Sequence, residues 1–466
     1  MKGLQQKTPK NIGASLQEIG AEHRGNAKGF TSIWITENNA VALPEDDGLL
    51  GQVLNPYNLD RAYLQVCRNK GSHGVDGIPV ELLKDYLKQN GSDLIKLIKS
   101  GKYRPNPVRR VEIPKDGRSK RPLGIPTVVD RVIQQAIHQV LSPIYERQFS
   151  NNSFGFRPKR STHKALFKCK QFVAEGYKYA VDLDMAKFFD TVNHSKLIEI
   201  LSRTIKDGRV ISLIHKYLNA GIVVEHKFEK SEAGVPQGGP LSPLLSNIML
   251  NELDKELHKR GHKFVRYADD LVILCKSERA GERIKNNVTK FIEGHLFLKV
   301  NRDKTSVVYF NQIKFLGYSF YQSKGVVRFR IHPKSIVKLK SKLRLLTSRS
   351  NGWGNEKRKR ELSLFIKGWI NYYKYAYITK LLKKVDEWYR RRLRMVIWKQ
   401  WKKIKTKQRN LVKLGINKYK AWEFANTRKS FWRTSNSPIL ATSITNERLK
   451  QAGYIFLSDY YKQVRV

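Results

Sequence analysis

Phe264-Val265-Arg266-Tyr267-Ala268-Asp269-Asp270-Leu271-Val272-Ile273-Leu274-Cys275-Lys276 is the stretch on which the fold turns. Two apolar, β-rich runs flank an adjacent pair of carboxylates, a pattern that predicts a hairpin with the acids at its turn. Packed strands seldom carry charge at their joint without a use for it. A second acid-bearing run lies upstream at 179–190, YAVDLDMAKFFD. With Asp184 and Asp269 on adjacent strand ends and Asp270 beside them, the three acids would form a compact anionic site. Such a site suits two hard divalent cations engaged in phosphoryl chemistry.

The rest of the chain fits a polyanionic partner. Its 466 residues carry 89 Lys plus Arg against 40 Asp plus Glu, a net charge of +49, and a soluble protein bears that self-repulsion most simply by binding nucleic acid. Charge alone fits a structural nucleic-acid binder equally well; the carboxylate cluster does not. Hydrophobic residues make up 40%, enough for real cores, and no run of 18 apolar residues predicts a membrane span. The N-terminus MKGLQQKTPKNIG has no apolar h-region. Cys67, Cys169 and Cys275 are isolated, which excludes a disulfide framework or a zinc-ligand pattern. These features predict a cytoplasmic protein associated with RNA or nucleoid DNA.

Along the chain, residues 1–52 read as an irregular leader. Regular structure is expected from about Asn58, as a helix capped by that residue, with a second helix near 80–88. Residues 109–114 and 121–126 read as a hairpin turning at Lys115-Asp116-Gly117-Arg118, and 130–145 as a long helix. Helices near 195–204, 208–220, 244–259 and 278–292 alternate with strands, the last of them near 305–310 and 313–320, giving an α+β unit over 53–330. From Pro333 the pattern turns helical. Between Glu356 and Arg409 there are 19 basic residues against 4 acidic, with ten aromatics. The aromatics read mostly as core. The charge imbalance reads as a nucleic-acid surface, since a merely solvated face mixes its signs, and Arg390, Arg391, Arg392 and Lys402 are its candidate contacts. Residues 411–466 read as a small, basic, nucleic-acid-binding extension without an appended nuclease.

Eight ordered blocks resemble the reverse transcriptases, or maturases, encoded by bacterial group II introns. They are GSHGVDG (71–77), RPLGIPTVVDRVIQQAI (121–137), SFGFRPKRSTHKAL (153–166), VDLDMAKFFDTVNH (181–194), GVPQGGPLSPLLSNIMLNELD (234–254), RYADD (266–270), LKVNRDKT (298–305) and KFLGYSF (314–320). GWINYYKYA (368–376) is similar to the family's thumb, or maturase, domain. The resemblance covers roughly residues 55–460 and is to the form without a C-terminal endonuclease domain. It implies a right-hand polymerase fold, with fingers and palm over 53–330 and an α-helical thumb/maturase domain over 331–410. It also implies RNA-templated DNA synthesis, assistance to intron splicing, and insertion of the intron at DNA targets. The partners would be group II intron RNA, an RNA template, a DNA primer or target DNA, and deoxynucleoside triphosphates. The cofactor would be a pair of Mg²⁺ ions, with Mn²⁺ as a substitute. A related reverse transcriptase of retron, diversity-generating or defence type, without a maturase role, is the alternative reading.

The resemblance carries over residue by residue. Asp184 matches the first catalytic aspartate, because the family's ligand stands five residues before the phenylalanine of the Phe-Asp pair, here Phe189; Asp182 is the rejected neighbour. Asp269 and Asp270 match the catalytic pair. Phe189 would lie under the sugar of the incoming nucleotide and crowd a 2′-hydroxyl. Lys115 and Arg121 match the basic residues that close on the triphosphate, Arg as a bidentate fork and Lys as a point charge. Gln237, in Pro236-Gln237-Gly238-Gly239-Pro240, would line the nucleotide pocket. Lys304 would support the acids or the phosphates, and Arg157 and Lys159 would contact template or intron.

Overall fold

The computed structural model describes Trp34 and residues 48–114, 120–225 and 227–465. Lys115, the hairpin turn that contains it and nearly all of the leader lie outside the described residues. The chain divides into two compact units, Met1–Tyr309 and Phe310–Val466.

The described part of the first unit contains strands β1 (Val108–Pro114), β2 (Lys120–Ile125), β3 (Tyr179–Leu183), β4 (Ile222–Val224), β5 (Lys227–Glu229), β6 (Lys263–Tyr267), β7 (Asp270–Cys275) and β8 (Ser306–Tyr309). They make two four-stranded sheets, in the orders β2-β1-β4-β5 and β6-β7-β3-β8. The second sheet is antiparallel throughout. In the first, only the β1–β4 pair is parallel. Helices Thr162–Ala174 and Ser242–Lys259 pack on β6, and Glu278–His295 packs on β3, β7 and β8. This cover explains why β7 is an unbroken apolar run. Leu271, Val272, Ile273 and Leu274 are each no more than 2% exposed. At roughly 1.5–3 kcal/mol per buried aliphatic side chain, the four contribute on the order of 6–12 kcal/mol. That gross figure is as large as the net stability of a typical domain, about 5–15 kcal/mol. The strand is therefore anchored firmly enough to present a charged residue at its start.

The helix expected from Asn58 begins earlier, as Pro56–Asn69. Asn55 is its cap, accepting from the Tyr57 N–H, and Pro56 fits the first turn because no donor is needed there. Asn58 instead donates to the carbonyls of Val53 (2.9 Å) and Ala136 (3.1 Å), tying this helix to the long helix Val128–Glu146. The helix foreseen near 80–88 extends over Leu83–Lys99. Thr127 caps Val128–Glu146, and the buried Asp130 carboxylate accepts from the hydroxyls of Thr127 (2.6 Å) and Tyr103 (2.5 Å).

The second unit begins with the hairpin of β9 (Tyr318–Ser323) and β10 (Val326–Ile331), followed by helices Pro333–Leu346, Asn355–Tyr373 and Thr379–Gln400. The strand expected at 313–320 starts only at Tyr318, because Leu316 (φ +51°) and Gly317 (φ +79°) turn the chain. The hairpin groups with the helices in the second compact unit, which begins at Phe310. Residues beyond 410 fold into the same unit. The buried Asp386 carboxylate accepts from the Leu457 and Ser458 N–H groups (2.9 and 2.8 Å), capping helix Leu457–Val464. The Tyr461 hydroxyl donates to the Ala376 carbonyl at 2.6 Å. Among the described residues no helix is long and apolar enough to cross a membrane.

Candidate active site

Strand register assembles the acids. Leu183 of β3 pairs with Leu271 of β7, and Tyr267 of β6 pairs with Asp270 of β7. Continuing the β3–β7 register by one residue sets Asp184 opposite Asp270. Ala268 and Asp269 are then the two-residue turn between β6 and β7. All three acids stand at one end of the sheet, Asp184 and Asp269 half-buried and Asp270 exposed. Asp182 stays within the ladder, opposite Val272 and Ser306.

The corner at Asp184 is held by residues 299–305. The Asp184 N–H donates to Thr305 Oγ1 (3.2 Å), and its carbonyl accepts from the Asn301 N–H (2.8 Å). One step on, the Ala186 N–H donates to the Lys299 carbonyl at 2.8 Å. Lys304 Nζ lies 3.6 Å from Asp184 Oδ2, with both side chains substantially exposed. Solvent screening keeps such a pair to about 1 kcal/mol or less, so its importance is local charge balance rather than stability.

Among the described residues, no three or more His, Cys, Asp or Glu side chains approach closely enough to share a metal ion. The chemistry of the donor set still fits Mg²⁺. That ion is commonly held by one or two carboxylates, several waters and the substrate's own phosphates, rather than by an all-protein cage. Partly exposed carboxylates at one end of the sheet match that mode.

A glycine-rich loop connects the acid-bearing segment with the other sheet. Phe188 is buried, and Phe189 packs edge-on against it, half-buried, with ring centroids 5.2 Å apart. The Phe189 carbonyl accepts from the Val235 N–H (2.6 Å). At the loop's other end, the Gly124 N–H of β2 donates to the Gln237 carbonyl (2.7 Å). Gly238 (φ +131°) approaches β2 so closely that a Cβ would stand 2.3 Å from the Gly124 carbonyl oxygen. Ser242 Oγ, at the start of helix Ser242–Lys259, donates to the Pro236 carbonyl at 2.6 Å. Half-buried Gln237 thus lies between Phe189 and β2, and exposed Arg121 lies on β2 opposite Ile113.

The Ala268–Asp269 turn is held by a network that the sequence reading missed. Ala268 has φ +57°, a left-handed conformation costing a non-glycine residue roughly 1–2 kcal/mol. Arg266, wholly buried, forms a two-pronged ion pair with wholly buried Asp254 (2.8 and 2.5 Å). Its remaining Nη1 donates to Asn247 Oδ1 and to the Ala268 carbonyl, each at 3.0 Å. Asn247 Nδ2 donates to the Gly155 carbonyl at 2.9 Å. The signal in the sequence was a charge inside a buried strand, which requires a partner.

The expected nucleic-acid contacts divide. Arg157 is buried, contrary to the role of template contact. Its guanidinium binds both Glu146 oxygens (2.7–3.2 Å) and the Ser153 carbonyl (2.8 Å), so its donors are spent inside the fold. Lys159 is exposed. Arg391 lies 3.9 Å over the Trp432 ring and donates to the Trp432 carbonyl (3.0 Å). Arg392 donates to Thr347 Oγ1 (2.6 Å) and to the carbonyls of Arg344 and Thr347, and burial lowers its pKa. Both arginines therefore join parts of the second unit. Arg390 is half-buried over Phe456, and Lys402 is exposed.

Comparison with known proteins gives concordant matches. Residues 113–320 match the reverse transcriptase (RNA-dependent DNA polymerase) family, and residues 336–415 match the maturase-specific domain of group II introns. Protein YkfC of Escherichia coli K12 is 34% identical over 318 residues, covering 59% of this chain and 84% of YkfC. The group II intron-encoded protein LtrA of Lactococcus lactis subsp. cremoris is 33% identical over 323 residues, covering 55% of this chain. The match covers 54% of LtrA, so this chain spans about half the length of that relative. A chain of the partial Cas6-RT-Cas1–Cas2 complex is 23% identical with a TM-score of 0.36, over 53% of this chain and 42% of that one, too loose a likeness to bear on the fold.

Proposed function

This chain belongs to the group II intron-encoded reverse transcriptase/maturase family, and on that premise we propose that it extends a DNA primer on an RNA template and binds its intron RNA to assist splicing and retrohoming. The observation that carries the polymerase reading is the convergence of Asp184, Asp269 and Asp270 at one end of the β6-β7-β3-β8 sheet. The reaction needs no side-chain nucleophile, since the attacking hydroxyl belongs to the primer. Two Mg²⁺ ions, or Mn²⁺ in their place, would be held by Asp184 and Asp269 with Asp270 beside them, and would lower the pKa of that hydroxyl and neutralise the triphosphate.

The protein's own groups position the substrate. Arg121 binds triphosphate oxygens through its planar fork. Phe189 crowds a 2′-hydroxyl and so selects deoxynucleotides. Gln237 contacts the sugar or the template base. Lys304 balances charge beside Asp184. Lys159, Arg390 and Lys402 contact RNA backbone in a cytoplasmic, RNA- or nucleoid-associated protein. Phosphate contacts position the protein on its intron, and RNA shape and single-stranded loops give selectivity. In splicing the RNA is the catalyst, and the protein stabilises its active fold.

The test compares wild type with Asp269→Ala. Primer extension on an RNA template should fall by about 10²–10³-fold or more, the scale of losing one preorganised electrostatic group. Thermal stability and RNA affinity should hold. Splicing of the RNA flanking the coding region, assayed at low Mg²⁺, should be accelerated equally by both proteins. Comparable extension by Asp269→Ala would sink the mechanism, and failure to accelerate splicing would remove the maturase role.

A further inference from the structure

Asp269 does not stand on a regular strand. It is the second residue of a two-residue turn whose first residue, Ala268, is in the left-handed region. Such a turn can relax by rotating the peptide between those two residues, and that rotation would carry the Asp269 backbone, and with it the carboxylate, to a new place. Several contacts oppose the rotation. Arg266 Nη1 donates to the Ala268 carbonyl, which belongs to that same peptide. The guanidinium is itself immobilised, by both oxygens of Asp254 and by Asn247 Oδ1. From the side, the Arg266 backbone is paired to residues 152–154, its N–H donating to the Asn152 carbonyl and its carbonyl accepting from the Phe154 N–H, each at 2.9 Å. That segment brings Gly155 against the turn, where a Cβ would stand 2.3 Å from the Ala268 nitrogen. Asn247 closes the frame by donating to the Gly155 carbonyl while accepting from Arg266.

We infer that Arg266 and Asn247 are positioning residues, which lock the Ala268–Asp269 peptide against Gly155 and thereby fix where the Asp269 carboxylate stands. The inference rests on the proposed role of Asp269 in nucleotidyl transfer. Stability alone gives a poor account of the arrangement, since a wholly buried ion pair is often no more stabilising than apolar residues of the same volume. What an apolar replacement cannot supply is a donor aimed at the Ala268 carbonyl.

Removing Arg266 would leave Asp254 buried and unpaired and risks unfolding the chain, so the test uses Asn247→Ala and Gly155→Ala. Asn247→Ala frees one side of the guanidinium. Gly155→Ala pushes on the turn directly and leaves every hydrogen-bonding group in place. In the full chain each variant should lower kcat for single-nucleotide addition about 10- to 100-fold, the scale of a misplacement near 1 Å. KM for the deoxynucleotide should stay within about twofold, because no group that binds the nucleotide has been removed. Amide hydrogen exchange should accelerate in residues 264–275, with the rest of the chain unchanged. A purely structural role predicts the opposite pattern: lower Tm, faster exchange throughout and wild-type kcat per folded molecule. That pattern, or unaltered exchange at 264–275, overturns the inference. If wild type itself fails to extend primers, the polymerase reading falls, and the exchange measurement still decides whether these residues lock the turn.

Discussion

Gly238→Ala should damage nucleotide use while leaving the fold intact. Gly238 has φ +131°, a backbone region essentially closed to side-chain-bearing residues, and forcing alanine into such a conformation costs roughly 1–3 kcal/mol. The new Cβ would also stand 2.3 Å from the Gly124 carbonyl oxygen, a backbone atom that moves only if β2 moves. The cheapest relief is to lift the loop off β2, which breaks the Gly124 N–H to Gln237 carbonyl bond, worth about 0.5–1.5 kcal/mol. Relative to wild type, the docked loop is therefore disfavoured by the strain, about 1–3 kcal/mol, or roughly 5- to 150-fold at 1.4 kcal/mol per factor of ten. Because the strain is relieved locally, Tm should shift little. Since Gln237 rides on this loop, kcat/KM for the deoxynucleotide should fall by up to that factor in steady-state primer extension on a homopolymer RNA. Gly294→Ala is the control: it lies inside helix Glu278–His295 with nothing within 4 Å of its added Cβ, and should be neutral or slightly stabilising. A Gly238→Ala protein with wild-type kcat/KM would refute the idea that docking of this loop on β2 organises the nucleotide site.

Two further outcomes are expected. Phe189→Ala should narrow the deoxy- to ribonucleotide ratio of kcat/KM, since the half-buried ring that would crowd the 2′-hydroxyl has gone; an unchanged ratio at full activity would make Phe189 a core residue only. Arg390→Ala and Lys402→Ala should weaken intron-RNA binding and each flatten the salt dependence by about one unit of slope. Arg391→Ala should instead destabilise the second unit by about 1–2 kcal/mol in calorimetry, through its lost contact with Trp432. The reverse assignment of affinity and stability losses would show that the arginines had been sorted wrongly.

That acids stand at the joint of two strands was legible in the sequence because local pattern determines it, whereas the choice of Asp184 over Asp182 came from the family resemblance. Alternating and continuous apolar runs gave the strands, and charge at the joint gave the turn between Tyr267 and Asp270. What holds that turn was not legible. Arg266 finds its partners 12 and 19 residues away, on helix Ser242–Lys259, and no local periodicity specifies that pairing. The cap of the first long helix was misread by a few residues for a related reason. Asn55 and Asn58 are equally good capping residues, and the decision fell to Asn58's distant acceptor, the Ala136 carbonyl.

The basic residues separate charge from role most sharply. Net charge and the run Arg390-Arg391-Arg392 point to a polyanion, yet consecutive helical residues are about 100° apart and cannot share one face. Within helix Thr379–Gln400, Arg391 turns onto Trp432 and Arg392 onto Thr347, where their donors serve the fold. Residues three and four apart do share a face, and Lys380, Lys383 and Lys384 at that spacing are exposed. A phosphate backbone meets a face of the helix rather than a stretch of chain. These lysines, together with Arg390 and Lys402, are therefore the better expectation for the RNA-contacting cations of this region, and Arg391 and Arg392 the better expectation for what holds its helices together.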